Sequence, residues 1–399
     1  MAILILNAGS SSLKFALYDK RQGRLNFPIR GNIDNLDSEP AFEIFDPHDR
    51  PLTREHLDLN SHEQAISFLL KWLADTHPDI IIQAVGHRVV HGGGVFTSPV
   101  QLTIGILEKL HTFIPLAPLH LPHNLAGITA IQAQCPHLPQ VACFDTAFHH
   151  SMLFCEQIYA LPRHLFDKGI RRYGFHGLSY EYIASVLPHH LGSLAEGKVI
   201  VAHLGHGASL CAMSRRRSIA TTMGFTPLDG IPMATRPGSI DPGILTYLVR
   251  EKKMSVSDID NMLNHQSGLA GLSGSSGDMR ELLADDSATA REAVDYFVHH
   301  THRAIASLAA TLGGLDALVF TAGIGENSST VRKAICKAAG WLGIEIDVNA
   351  NDKHAPLISL PASKISVWVI PTDEERMIAK HVCSTLPEIT AQQTTALNA

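Results

Sequence analysis

Cysteine is sparse: six in 399 residues, with no CxxC pair and no zinc-like spacing. That leaves no basis for a disulfide framework or a structural zinc site. Most of the six sit in apolar runs such as Val141-Ala142-Cys143-Phe144, which predicts buried thiols in a reducing compartment. Aromatics are few at 6%, and 32 Lys and Arg against 38 Asp and Glu give a net charge of only −6. This balance draws the chain neither to nucleic acid nor to an anionic membrane. No apolar run is long enough to cross a bilayer. Polar Asn7 ends the opening run Ile3 to Leu6 too early for a signal peptide, and no basic segment precedes it. A cytoplasmic location is therefore expected. Gly-X-Y repeats, heptads, HExxH and GK[ST] are all missing, which excludes fibrous folds and the Walker loop.

What is present is a 45% apolar chain, enough for two or three cored domains at about 150 residues each. Histidine is abundant at 24, including the pairs His149-His150, His189-His190 and His299-His300, but no pair has a metal-site signature. The basic triplet Arg215-Arg216-Arg217 lies between apolar runs and reads as a solvated hairpin turn.

Helical periodicity covers Glu63 to Ala74, Ile104 to Phe113, Leu125 to Gln134, Gly243 to Glu251, Ala288 to Leu312 and Ser329 to Ala339. Strands are expected at Ile80 to Val85, Gln140 to Phe144, Asp316 to Phe320 and Ile365 to Ile370, so the class is α/β with layered sheets. Each half opens alike. Ile3 to Leu6 leads through Asn7-Ala8-Gly9-Ser10-Ser11-Ser12 into Leu13 to Tyr18. Val199 to Ala202 leads through His203-Leu204-Gly205-His206-Gly207-Ala208-Ser209 into Leu210 to Met213. Two strand–turn–strand units of one pattern suggest a duplication. The tail from Leu386 is polar and is expected to fray.

The turns carry the chemistry. Small residues at 7–12, with Lys14 following, suit either an ordinary hairpin or converging N–H groups on an anion. Gly205 and Gly207 permit the same in the second half. The strand from Asp316 runs into Gly323-Ile324-Gly325-Glu326-Asn327 and then a helix, whose start favours negative charge. Ser267 to Arg280 is a small-residue loop that either wraps a nucleotide or links flexibly. Arg88 in Gly86-His87-Arg88 is a candidate carboxylate or phosphate fork. Asp145 ends an apolar strand and needs a cation, a metal or a capping role. His176 and Arg236 each sit in a glycine-flanked loop. Two Arg, one His and one Asp beside three phosphate-type turns describe a phosphoryl-transfer site.

These segments resemble a known family. NAGSSSLKF, GHRVVHGG, APLH, CFDTAFH, YGFHG, MGFTPLDG, SGLAGLSG, DMR, FTAGIGENS and VIPTDEE are similar, in order and spacing, to the signatures of acetate kinases, and they run from Asn7 to Glu375. The resemblance implies the actin/Hsp70/hexokinase-like fold: two duplicated ribonuclease H-like domains around a central active-site cleft, usually in a homodimer. It implies a first domain of residues 1–148 plus a C-terminal helix at 375–399, on the acyl and Mg²⁺ side. The second domain, 149–374, would take the nucleotide. The expected activity is reversible, Mg²⁺- or Mn²⁺-dependent transfer of the ATP γ-phosphoryl group to acetate or another short-chain carboxylate.

By motif, the resemblance places Asn7 and Glu374 near the metal. It puts Lys14, Ser10 and Ser12 near the ATP phosphates, with Arg88 on the acetate. Asp145 becomes the essential acid, and His176 and Arg236 stabilise the moving phosphoryl group. His203, Leu204, Gly205, His206 and Gly207 would line the phosphates. Asp278, Met279, Arg280, Gly323, Ile324, Gly325, Glu326 and Asn327 would hold the nucleotide. Val90, Leu119, Phe175 and Pro227 would surround the substrate methyl.

Four departures from the family pattern stand out. Leu178 and Tyr180 occupy the second half of a motif that usually reads HGTSH. His206 replaces the Asn of HLGNG. Pro237 and Ser239 alter TRSGDIDP, removing a carboxylate beside Arg236. Leu121 replaces the Asn of LHNP and is expected to change polarity near the acyl pocket. Three rival readings are a propionate or butyrate kinase, a member using pyrophosphate, and a nucleotide-binding ATPase switch with no acyl acceptor. An ionised acetate needs no base, so Asp145 is expected to orient a metal or an arginine, with direct in-line transfer and no phosphoenzyme.

Overall fold

A computed structural model describes residues 2–21, 24–36, 38–46 and 50–387; the tail at 388–399 lies outside them. The chain forms two compact units. One contains the residues up to Phe148 and those from Asp373 onward; the other is His149–Thr372. The break before Asp373 lies two residues upstream of the 374/375 boundary expected from sequence, and it places Glu374 in the first unit.

The first unit holds β1 (Ala2–Ala8), β2 (Leu13–Arg21), β3 (Arg24–Asp34), β4 (Ala41–Phe45), β5 (Pro51–His56), β6 (Ile82–Val89), β7 (Val100–Gln101) and β8 (Gln140–Phe144). They form one sheet in the order β5-β4-β3-β2-β1-β6-β8-β7. The second unit holds β9 (Lys198–Leu204), β10 (Ala208–Ser214), β11 (Arg217–Thr221), β12 (Ala317–Thr321) and β13 (Ser366–Val369), ordered β11-β10-β9-β12-β13.

The duplication is legible in the pairing. β3-β2-β1 is an antiparallel meander, and β6 and then β8 add in parallel beyond β1. β11-β10-β9 is the same meander, and β12 and then β13 add in parallel beyond β9. β1 and β9 are thus equivalent central strands, buried on both faces, which is why both are continuous apolar runs.

Helices cover the sheets with apolar stripes. His62–Thr76 starts at the Ser61 cap and buries Ala65, Ile66, Leu69 and Leu73. Ala288–Leu312, capped by Ser287 and ended by left-handed Gly313, buries Phe297, Thr301, Ile305 and Leu308 along one side. The edge strand β5 is exposed throughout. Arg215 and Arg216, at φ 51° and 59°, form the turn between β10 and β11, and Arg216 pairs with Glu196.

Several local expectations need correction. Ser267 to Arg280 is not a plain loop: Gly268–Ser273 and Met279–Ala284 are helices within and after it. Gly323 to Asn327 belongs to a short helix, Ala322–Asn327, entered through Ala322 at φ 65°. The cysteines are all free, but only Cys143, Cys211 and Cys336 are buried, and Cys155 is exposed. Leu121 is fully buried at the first turn of the Leu121–Gln134 helix, so it is a core residue. None of the described helices is long and apolar enough to cross a membrane.

Candidate active site

In the first unit the candidate side chains Asn7, Arg88 and Asp145 gather at the ends of parallel strands. β6 pairs in parallel with both β1 and β8, so Asn7, Arg88 and Asp145 leave the sheet at the same edge. That edge is where α/β sheets bind ligands. Arg88 forks onto Asp145: Nη2 donates to Oδ2 at 2.5 Å and Nε to Oδ1 at 3.2 Å. Its Nη1 donates to Asn7 Oδ1 at 3.2 Å. Glu374 Oε2 lies 3.7 Å from Arg88 Nε. Lys14 sits opposite Asn7 in the β1–β2 register, and the Gly9–Ser12 turn joins those strands with Gly9 N–H donating to Ser12 O at 2.8 Å.

Glu374 arrives there by a long return. It opens the Glu374–Thr385 helix, whose cap Asp373 accepts from Arg376 N–H and from Tyr18 Oη at 3.0 Å. That helix packs on β6 at Gly86, where a Cβ would meet Ile378 Cγ2 at 2.5 Å and Val382 Cγ2 at 2.8 Å. The glycine is therefore required by close approach.

Charge in this cluster is unevenly matched. Asp145 is 1% exposed. Burial opposes the Arg88 charge, but the Asp145 and Glu374 carboxylates outweigh it and raise its pKa. Burial, then the charges of Asp145 and Glu375, push the Glu374 carboxyl well above the usual range, against the pull of Arg88 and Lys14. Asn124, missed in the sequence, ties the strand ends together: its Oδ1 accepts from Val90 N–H at 2.9 Å and its Nδ2 donates to Ala8 O at 2.7 Å.

In the second unit the β9–β10 turn is the focus. A Cβ on Gly207 would lie 2.7 Å from Arg236 Nη2 and 3.2 Å from His176 Nε2, so both cationic or polar heads converge on that backbone. Arg236 is steadied by Pro227, whose carbonyl accepts from Nη1 at 3.0 Å. His176 stacks on His203 with centroids 4.2 Å apart. Burial, then the nearby Arg236 charge, lowers the His206 pKa.

Beside this turn lies a cavity of about 740 Å³, lined by Gly205, His206, Asp278, Met279, Arg280, Gly323, Ile324 and Asn327 among others. Three separate sequence segments thus meet on one cavity of nucleotide size. Arg280 donates to Asp278 at 2.6 Å at its rim. Not every expected contact is available. Leu204 is fully buried. Glu326 turns inward, its Oε1 accepting from Ala322 N–H at 2.7 Å and Thr372 N–H at 3.1 Å, so it fastens the turn and leaves the cavity to its neighbours. Fully buried Arg332, also missed, holds the same turn by donating to Gly325 O and Glu326 O. Of the four apolar acyl candidates, Val90 and Leu119 belong to the first unit and Phe175 and Pro227 to the second.

The acetokinase family matches residues 2–380. The chain is 50% identical over 386 residues to an acetate kinase of Rhodopseudomonas palustris, covering 95% of this chain and 97% of that protein. An acetate kinase of Methylocella silvestris is 47% identical, with 98% and 99% covered. Among solved structures, Porphyromonas gingivalis acetate kinase matches with a TM-score of 0.87 at 35% identity, covering 96% of this chain and 99% of that one. A propionate kinase from Francisella tularensis matches at 0.89 and 39% identity, covering 95% and 98%. The actin/Hsp70/hexokinase-like architecture expected from the sequence is therefore met. With the family matching almost the whole chain, and relatives near half identity over nearly their full length, the chain belongs to the acetokinase family.

Proposed function

We propose that the chain transfers the γ-phosphoryl group of ATP reversibly to the carboxylate of acetate, giving acetyl phosphate and ADP. The observation that carries this reading is the Arg88–Asp145 fork, with Asn7 and Glu374, on converging strand ends. A nucleotide clamp alone would not need it. An acetate oxygen attacks the γ-phosphorus in line as the bond to the bridging oxygen of ADP breaks, and no phosphoenzyme forms. Arg88 balances the charge of the attacking carboxylate. Both Asp145 oxygens accept from Arg88, so Asp145 orients the fork and no proton need pass to it. His176 and Arg236 donate to the transferring phosphoryl group. The cavity at Gly205, Asp278 and Gly323 takes the nucleotide, with Lys14, Ser10 and Ser12 as further phosphate contacts. Val90, Leu119, Phe175 and Pro227 are the apolar contacts of the acyl chain.

A magnesium ion suits the first unit's donors. Glu374 is a half-buried carboxylate whose pKa is raised by burial and by the charges of Asp145 and Glu375, and Asn7 adds a neutral oxygen. Mg²⁺ favours one or two such protein oxygens, with water and phosphate completing its shell. Among the described residues no cluster of three or more His, Cys, Asp or Glu forms a closed metal cage. Glu374 and Asn7 would hold the ion, which when bound neutralises phosphate charge.

The likeness to a propionate kinase keeps a second acyl preference in view. One methylene is worth only about 1–3 kcal/mol, so cross-reactivity is expected. A hydroxamate assay with ATP, Mg²⁺ and acetate, propionate or butyrate decides. Highest kcat/KM on acetate supports the reading; highest on propionate replaces the acceptor. Activity with pyrophosphate but not ATP, or ATP hydrolysis with no acyl phosphate, overturns it. The family expectation of a homodimer is tested by light scattering of the protein in solution, in which a 43.3 kDa species is the monomer.

A further inference from the structure

His176 occupies an unusual backbone position. It precedes the Gly177–Leu191 helix at φ 57° and ψ 24°, the left-handed region. A non-glycine residue there is strained and persists only where its surroundings fix it. Its imidazole is held by a buried chain of hydroxyls. His176 Nδ1 lies 2.8 Å from Ser209 Oγ, and Ser209 Oγ lies 2.5 Å from Tyr180 Oη. Ser209 and Tyr180 are both 0% exposed. The other ring nitrogen, Nε2, points at the Gly207 backbone beside Arg236.

We propose that Tyr180 and Ser209 are positioning residues that fix the tautomer of His176, holding its proton on Nε2 so that a neutral imidazole presents an N–H to the phosphate turn. The argument is a count of protons. A phenol is a stronger acid than an alkyl hydroxyl, so in the Tyr180–Ser209 pair the phenol donates and the serine oxygen accepts. Burial raises the Tyr180 pKa well above its usual value, so the phenol keeps its proton. Ser209 has one proton of its own. Ser209 Oγ contacts His176 Nδ1 and Tyr180 Oη, so with its oxygen receiving from Tyr180 its proton goes to His176 Nδ1, which is then the bare, accepting nitrogen. A neutral imidazole with a bare Nδ1 carries its hydrogen on Nε2.

Tyr180 makes this relay a property of this chain. The family motif usually has histidine there, which donates or accepts according to its own tautomer, whereas a phenol that keeps its proton always has an O–H to give. The stacked neighbour His203 is held separately, through Ser179 Oγ at 2.8 Å, with Ser179 also 2.8 Å from Thr372 Oγ1. The link to catalysis rests on the functional reading above; the tautomer itself does not.

The test is long-range ¹H–¹⁵N correlation NMR of the full-length protein, with His176 assigned by comparison with His176→Gln. The expected wild-type signature is the Nε2–H tautomer. Tyr180→Phe removes the donor and keeps the ring, and Ser209→Ala removes the serine proton; both should show mixed or Nδ1–H forms. Each should lower kcat about tenfold, the worth of one orienting hydrogen bond, with KM for ATP and acetate within about twofold. Ser209→Thr, which keeps the hydroxyl, should restore the Nε2–H form and most of kcat. An Nδ1–H tautomer in the wild type overturns the proposal and needs no variant to fold. So does a tautomer unchanged in both Tyr180→Phe and Ser209→Ala. A wild type that shows Nε2–H yet makes no acyl phosphate overturns the functional reading while supporting the relay.

Discussion

Arg88 and Asp145 are 57 residues apart in sequence and meet in a two-point ion pair, with one partner a quarter exposed and the other buried at 1%. Such a fork suits a planar carboxylate, which lysine cannot copy. Arg88→Lys is expected to lower kcat/KM for acetate by roughly 100-fold while the melting temperature stays near wild type. Arg88→Ala should do worse on both counts, because it leaves Asp145 as an uncompensated buried charge costing about 3–5 kcal/mol. Steady-state kinetics with thermal melts of both variants checks this. Near wild-type turnover in Arg88→Lys would sink the assignment of Arg88.

Burial and the neighbouring Asp145 and Glu375 charges raise the Glu374 pKa, so a bound cation would favour its charged form. Glu374→Gln keeps the shape and removes the charge, so the Mg²⁺ concentration for half-maximal rate should rise by roughly tenfold or more, with KM for acetate little changed. A Mg²⁺ titration at saturating substrates reads this directly. An unchanged Mg²⁺ requirement would place the metal elsewhere.

How much of this was legible in the sequence follows from what is local. The Gln140–Phe144 strand and the Ala288–Leu312 helix are read correctly because an unbroken apolar run and a capped 3.6-residue stripe are local signals. The Gly177–Leu191 helix gives neither: it buries Gly177, Leu178, Ser179 and Tyr180 in succession and contains Pro188, so no stripe marks it. Asp145 and Arg88 are each recognisable as polar residues ending apolar strands. Their pairing depends on the parallel register that sets Arg88 beside Cys143, which no local pattern encodes. Ser209 shows the limit most clearly. It reads as one small residue in a glycine turn, and only the fold brings Tyr180 and His176 to its two sides.

Gly86 tests how Glu374 is positioned. Gly86→Ala would drive a methyl into Ile378, Val382 and Ile5, all within 3.0 Å of its place. Overpacking of this kind costs about 1–3 kcal/mol. The strain falls on the helix that carries Glu374, so the Mg²⁺ requirement should rise together with the loss of stability. Calorimetry and a Mg²⁺ titration on the same preparation are the check. A stable variant with an unaltered Mg²⁺ requirement would refute the idea that this contact places Glu374.

Three buried histidines should set the acid limit of stability. Burial holds His87, His91 and His149 at about 4, well below the ordinary 6.5. His87 Nε2 donates to Gln140 Oε1 at 2.7 Å, and His149 lies between Ser218 Oγ and Phe175 O, arrangements that suit a neutral ring. Unfolded chains take up protons below pH 6.5, while the folded protein resists until about pH 4. Stability is therefore full above pH 6.5 and falls as pH drops through that window, by roughly 3 kcal/mol per histidine at its foot. His87→Gln, which keeps a side-chain donor, should give a shallower fall. Urea midpoints measured from pH 7 to pH 4 test it, and equal slopes in wild type and variant would count against the assignment.

Arg332 offers the sharpest separation of the two substrates. It is 0% exposed and its four oxygen partners are neutral: the carbonyls of Gly325 at 2.9 Å, Glu326 at 2.8 Å and Asn351 at 2.9 Å, with Asn351 Oδ1 at 2.8 Å; His354 Nδ1 also lies 3.2 Å from its Nη2. Burial lowers its pKa, but hydrogen bonds of a cation to four acceptors compensate the desolvation. Those bonds fix the turn whose Gly323, Ile324 and Asn327 line the cavity proposed for the nucleotide. Arg332→Met keeps most of the volume and strands the four acceptors. It should raise KM for ATP by about tenfold while KM for acetate moves less than about threefold, because the acetate fork at Arg88 lies in the other unit. Arg332→Lys, which retains a charge but not the geometry, should fall between. Equal changes in both KM values would mean that Arg332 supports general stability and has no particular hold on the nucleotide turn.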